Sequence, residues 1–139
     1  MKHIFLDTNI IIDVFAARTP FDIFAIELFR LAAENKVKIY ISAASYTTIY
    51  YLLRIQKISH NKCMLIMGDL QKTTSIITAD STIISNSIEI NFPDFEDGVQ
   101  YISAKSISKI NLIVTRDKKG FKKSTLPIMD AGQAFNVCR

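Results

Sequence analysis

Apolar and polar positions along this chain follow two rhythms that take turns. Ile4-Phe5-Leu6 is a continuous apolar run ending on Asp7, as expected of a strand buried on both faces. Ile10 to Phe15 begins a short helix, and from Pro20 onward Ile23, Ile26, Phe29, Leu31 and Ala32 recur at amphipathic helical spacing. Val37 to Ser42 alternates as a strand. Ala43 to Arg54 and Asn61 to Lys72 return to the helical period, and Ser75 to Thr78 reads as a short strand. Ser81 to Ile90 is assigned to a helix despite its serine and β-branched residues. Phe95 to Ala104 forms another helix, and residues 112–115 a buried strand. A loop from Lys118 to Thr125, a brief strand from Leu126 to Met129 and a helical turn from Asp130 finish the chain.

Strands that alternate with helices imply an α/β fold with a central parallel sheet between two helical layers. With 139 residues, 49% of them hydrophobic, one compact domain over residues 1–139 is expected. No apolar run reaches the roughly 20 residues that span a membrane. Asp7 and Asp13 interrupt the N-terminal segment where a secretory core would lie, so a cytoplasmic location is expected. Cys63 and Cys138 form no metal or redox motif, and buried packing is the expectation for Cys63. Tyr46, Tyr50 and Tyr51 could offer bases a stacking surface, but an aromatic stripe at helical spacing is assigned to the core.

Candidate chemistry lies at the ends of the strands. Asp7 follows the first strand, Asp117 follows Leu112-Ile113-Val114-Thr115-Arg116, and a third acidic group, Asp94-Phe95-Glu96-Asp97, opens a helix. Open parallel sheets bind ligands beyond the carboxyl ends of their strands, which puts Asp7 and Asp117 at one edge. Asp94, after Pro93, has the position of a helix N-cap, with Asp97 at the third helical residue. Carboxylates gathered without an opposing base call for a cation, and oxygen ligands suit Mg²⁺ or Mn²⁺. His3 and His60 have no partner at catalytic spacing.

The net charge of +4 is unevenly spread. Thr73 to Ala104 holds five acidic residues and no basic one, whereas Lys105 to Lys123 holds seven basic residues and one acid, Asp117. Arg116, Lys118, Lys119, Lys122 and Lys123 crowd the loop that carries that acid, so a polyanion such as RNA could be held beside the carboxylates.

In this order, Leu6-Asp7-Thr8-Asn9, Ile41-Ser42 before a helix, Asp94-Phe95-Glu96-Asp97, and Val114-Thr115-Arg116-Asp117 with Phe121 resemble the PIN-domain ribonucleases, which include VapC-type toxins. The resemblance covers essentially the whole chain. It implies a metal-dependent endoribonuclease acting on single-stranded RNA, an antitoxin partner and a homodimer. Asp7, Asp97 and Asp117 would be the catalytic and Mg²⁺- or Mn²⁺-binding acids, with Asp94 and Glu96 as further candidates. By the same resemblance Asn9, Ser42 and Thr115 would brace the site. The pairing into dimers also draws on the surplus of apolar residues in Phe21 to Phe29 and Tyr46 to Ile55.

One departure stands out. Where the family carries a glutamate early in the helix after the second strand, this chain has Thr48, and at Gly98 it lacks the usual alanine. Fewer carboxylates mean weaker metal binding, so a catalytically weak or inactive domain that binds RNA or a partner protein is the alternative. A receiver-type signalling domain also places aspartates at strand ends. It needs paired acids on the first strand and a lysine after a late one, and neither stands clearly here.

Overall fold

Side-chain alternation within the central strands decides where each helix packs. The computed structural model describes Met1–Arg139. Its five strands are β1 (Lys2–Leu6), β2 (Val37–Ser42), β3 (Ser75–Ile77), β4 (Leu112–Val114) and β5 (Ile128–Met129). They form one parallel sheet in the order β3-β2-β1-β4-β5. Ile4, Leu6, Val37, Ile39, Ile41, Leu112 and Val114 project to one face of this sheet. Phe5, Tyr40, Ile77 and Ile113 project to the other. The first face is covered by α1 (Thr8–Phe15), α2 (Asp22–Ala33), α3 (Ser45–Ile55), α4 (His60–Thr73) and α7 (Ala131–Cys138), through Ile10, Leu28, Ile49, Cys63 and Ala134. Phe92, Tyr101 and Ala104, contributed by α6 (Phe95–Lys105) and the turn leading into it, cover the second, with α5 (Ser81–Ile90) packed against α6. The expected three-layer arrangement is therefore present.

The chain winds outward from β1 to β3, then returns to the far side of β1 to lay down β4 and β5. The reversal leaves a crevice between β1 and β4 at the carboxyl edge, the location at which open α/β sheets bind ligands. Asp7 and Thr115 are the first residues past these two strands.

Three expectations need correction. The final helical turn is an eight-residue helix, because Asp130 and Gln133 form a reciprocal capping box with bonds of 2.8 and 3.0 Å. The strand expected at Leu126 begins only at Ile128, since Pro127 has no N–H to give to a ladder. Of the tyrosine stripe, Tyr46 and Tyr50 pack partly against the core, but Tyr51 is 65% exposed because it falls on the outer face of α3. Cys63 is buried as expected. Gly98 sits where α6 approaches α5, and an added Cβ would touch Phe92 at 3.4 Å, a contact alanine could make with little adjustment.

Asp13 ties α1 to the loop after β4. Its fully buried carboxylate accepts from Arg18 Nε at 2.9 Å and from Arg116 Nε and Nη2 at 2.8 and 2.9 Å. The Arg116 guanidinium also lies 4.0 Å from the centre of the Phe21 ring. Asp13→Asn should lower unfolding free energy by about 1 to 2 kcal/mol in denaturant titration, since its charge-assisted hydrogen bonds become neutral ones while the partly exposed guanidiniums remain solvated. A loss no larger than that of an ordinary surface substitution would show that the ion pairs hold nothing in place.

Candidate active site

Asp7 closes β1 and opens α1, the position of an N-cap, yet its carboxylate makes no side-chain capping bond. It is held from elsewhere. Thr115 Oγ1 donates to Asp7 Oδ2 at 2.6 Å, and Gln100 Nε2 donates to Asp7 Oδ1 at 2.9 Å. Gln100 is oriented in turn by the Thr8 N–H, which donates to its Oε1 at 3.1 Å. Thr115 also accepts from the Asp117 N–H at 3.0 Å, so one hydroxyl links the two strand-end acids. Asp117 Oδ1 then accepts from the Gly120 N–H at 3.1 Å, which fixes the turn that follows.

The helix-borne acids arrive by a separate route. Asp94 Oδ1 caps α6 by accepting from the Asp97 N–H at 3.1 Å, as expected of an aspartate after proline. This turn directs Asp97 toward the sheet edge. Asp7, Thr8, Asn9, Leu52, Asp94, Glu96, Asp97 and Asp117 line one cleft of about 270 Å³. Gly120 lies against two of these acids, since an added Cβ would stand 2.7 Å from a carboxylate oxygen of Asp97 and 2.7 Å from one of Asp117. Only a residue without a side chain lets the backbone approach both acids so closely.

Charge crowding marks this cleft. Burial, then the charges of Asp7, Asp94, Asp117 and Glu96, push the Asp97 carboxyl from its ordinary 3.8 up to about 7. Burial also raises Asp7, against the opposing hydrogen bonds from Thr115 and Gln100. An all-oxygen set of unneutralised acids, with a glycine where a side chain would intrude, fits a hard divalent cation. No three acids are drawn tightly enough together to form a finished ion cage.

Other expected site residues stand elsewhere. Ser42 is fully buried, and its hydroxyl accepts from the Ala44 N–H at 3.2 Å, bracing the turn between β2 and α3 rather than an acid. Asn9 lines the cleft but holds no acid through its side chain. The brace on Asp7 comes from Gln100, which sequence reasoning passed over. The signal was its place three residues after Asp97, hence on the same helix face. Among the basic residues, Arg116 is committed to Asp13, Lys118 Nζ donates to Gln133 at 2.7 Å, and Lys123 Nζ donates to the carbonyls of Ile90 and Asn91 at 3.1 and 3.2 Å. Lys119 and Lys122 are exposed, and neither forms an ion pair or a side-chain hydrogen bond. Thr48 and Glu96 are hydrogen-bonded at 2.9 Å.

A doubly wound parallel sheet with a carboxylate cleft at its topological switch point defines a class of α/β domain suited to metal-assisted chemistry on phosphates. Residues 3–119 match the family model of the PIN domain, and the chain belongs to the PIN-domain family. It is similar to Ribonuclease VapC1 from Aquifex aeolicus (strain VF5), at 30% identity over 122 residues covering 84% of this chain and 83% of that protein. Two solved structures share the fold. VapBC2 from Rickettsia felis, bound to a DNA fragment from its promoter, superposes with a TM-score of 0.64 at 18% identity, covering 92% of this chain and 98% of that one. Mycobacterium tuberculosis VapC20, a Sarcin-Ricin loop cleaving toxin, gives 0.63 at 15% identity, covering 79% and 86%.

The elevated Asp97 has a measurable consequence. Between about pH 4 and 7 the folded protein retains a proton that the unfolded chain has released, so stability is greatest below this window and declines as pH rises through it. In chelator-treated protein, Asp97→Asn should flatten this decline and raise the melting temperature above pH 7. Identical pH slopes for the two proteins would show that Asp97 titrates as an ordinary carboxylate.

Proposed function

We infer that the chain is a VapC-type endoribonuclease that hydrolyses single-stranded RNA, acting as the toxin of a toxin–antitoxin pair in the cytoplasm. The observation that carries this reading is the union of Asp7, Asp97 and Asp117 in one cleft at the switch point of a PIN domain. These three acids would hold Mg²⁺ or Mn²⁺. When bound, such an ion neutralises charge developing on the phosphate and lowers the pKa of water.

The chain's own residues prepare the site. Thr115 and Gln100 keep Asp7 in one orientation, Thr115 accepts from the Asp117 N–H and the Gly120 N–H donates to the Asp117 carboxylate, so these oxygens need little reorganisation when substrate arrives. Burial and the neighbouring carboxylates raise the Asp97 carboxyl to about 7, so a bound cation would be expected to favour its ionised form. Lys119 and Lys122 are free to meet the RNA backbone. Of the five basic residues expected to do so, these two have no competing partner, which narrows the electrostatic footprint.

An antitoxin partner and a homodimer belong to the same reading. The similarity to a VapBC assembly supports the first. Exposed Phe21, Ile23, Phe24 and Ile26 at the start of α2, and Tyr51 and Ile55 on α3, supply apolar surface for such contacts. No helix is long and apolar enough to cross a membrane.

With millimolar Mg²⁺ or Mn²⁺ the protein should cut single-stranded RNA, leaving 5′-phosphate and 3′-hydroxyl ends, and Asp7→Asn should abolish cutting while preserving the folded circular-dichroism spectrum. No cleavage of any single-stranded RNA offered with either metal would reduce the chain to a binding domain on a nuclease scaffold. In binding assays, Lys119→Ala with Lys122→Ala should reduce the slope of log affinity against log salt by about 1.4, at roughly 0.7 per lost phosphate contact. An unchanged slope would place the RNA away from this loop.

A further inference from the structure

Thr48 and Glu96 meet across two helices that are remote in sequence. Thr48 lies near the start of α3 and Glu96 in the first turn of α6, yet Thr48 Oγ1 donates to Glu96 Oε2 at 2.9 Å in a half-buried contact. A glutamate in the first turn already suits the helix dipole, and for that purpose it can remain free in solvent. The dipole does not account for a side chain that leans toward α3 and is tethered there by a neutral hydroxyl. That tether brings no counter-charge. It instead keeps an acid in the cleft lined by Asp7, Asp97 and Asp117, where its charge adds to the repulsion.

The direction of the tether is set by α3. Leu52, one helical turn after Thr48 and on the same face, lines the same cleft, so this face of α3 forms its wall. Glu96 Oε1 has no hydrogen-bond partner, which leaves one oxygen available while Thr48 occupies the other. Gly120 also approaches the acids, an added Cβ there standing 2.7 Å from an Asp97 carboxylate oxygen.

Building on the metal-dependent reading given above, we propose that Glu96 is an additional oxygen ligand of the divalent cation, and that Thr48 is the positioning residue that holds its carboxylate across the gap between α3 and α6. Helix α6 thereby offers two acids to the cation, Asp97 and Glu96, and α3 supports the second of them.

Mn²⁺ binding to the full chain, followed by calorimetry and by the loss of the free-ion electron paramagnetic resonance signal, tests this without reference to cleavage. Glu96→Gln should weaken Mn²⁺ binding about tenfold or more, and Thr48→Val should weaken it by about tenfold, the lower end of the effect of losing a partner that orients a ligand. Thr48→Ser, which keeps the hydroxyl, should restore the affinity. Thr48→Val should cost nothing further in a Glu96→Gln background, because the two act as one unit. Thermal melts of each metal-free variant should match or exceed wild type, which separates lost ligation from lost folding.

If Asp97→Asn abolishes Mn²⁺ binding while Glu96→Gln binds as wild type does, the role of Glu96 is overturned and the metal site stands. If wild type binds no Mn²⁺, both fall. Additive losses in the double variant would refute the action of Thr48 through Glu96.

Discussion

The structure depends on keeping a carboxylate buried at the end of its central strand. Asp7 is 2% exposed, and an isolated anion in such a place would be expensive. Two neutral donors, Thr115 and Gln100, each satisfy one of its oxygens, and they come from the two elements that must dock on β1 for the site to exist. Pairing of β4 with β1 places Thr115, and packing of α6 on the second face of the sheet places Gln100. The site and the fold are therefore assembled by the same contacts. Neither element can shift without freeing an oxygen of Asp7 inside the protein.

Acids of this chain are treated in two opposite ways only a few residues apart. Asp13 is fully buried and answered by two guanidiniums. Asp7 and Asp117 are answered by hydroxyl, amide and backbone N–H groups, which orient a carboxylate without neutralising it, and the Asp97 carboxylate receives no cation either. A paired acid fastens one element to another, whereas an oriented and unneutralised one retains its attraction for a cation. Arg116 shows how sharply the two uses are separated. It stands next to Asp117 in the chain, yet its guanidinium turns to Asp13 and Phe21, which leaves the neighbouring acid without an internal counter-ion.

Gathering acids in a partly buried cleft is costly, and burial first, with the neighbouring carboxylates second, lifts Asp97 to about 7. Such a domain trades some stability for a cleft that is ready to accept positive charge. Gly120 serves the same cleft, because an added Cβ would stand 2.7 Å from an oxygen of each of Asp97 and Asp117 and would push both acids aside.

How much of this could be read from the amino-acid order depends on the distance over which each interaction acts. Local patterns declared the alternation of strands and helices, the apolar runs that end in Asp7 and Asp117, and the cap made by Asp94, because period, burial and capping are set within a few residues. The capping box at Asp130 and Gln133 was equally local and could have lengthened α7 from sequence alone. Partnerships across the fold were not written in any window of the chain. That Gln100 rather than Asn9 holds Asp7, that Arg116 faces Asp13 rather than solvent, and that Thr48 meets Glu96 depend on which helix packs on which face of the sheet. Separations of 48 to 103 residues lie between the members of these pairs. Residue type and spacing determined where acids emerge from strands and helices, and tertiary packing alone decided which of them would be neutralised and which left to seek a cation.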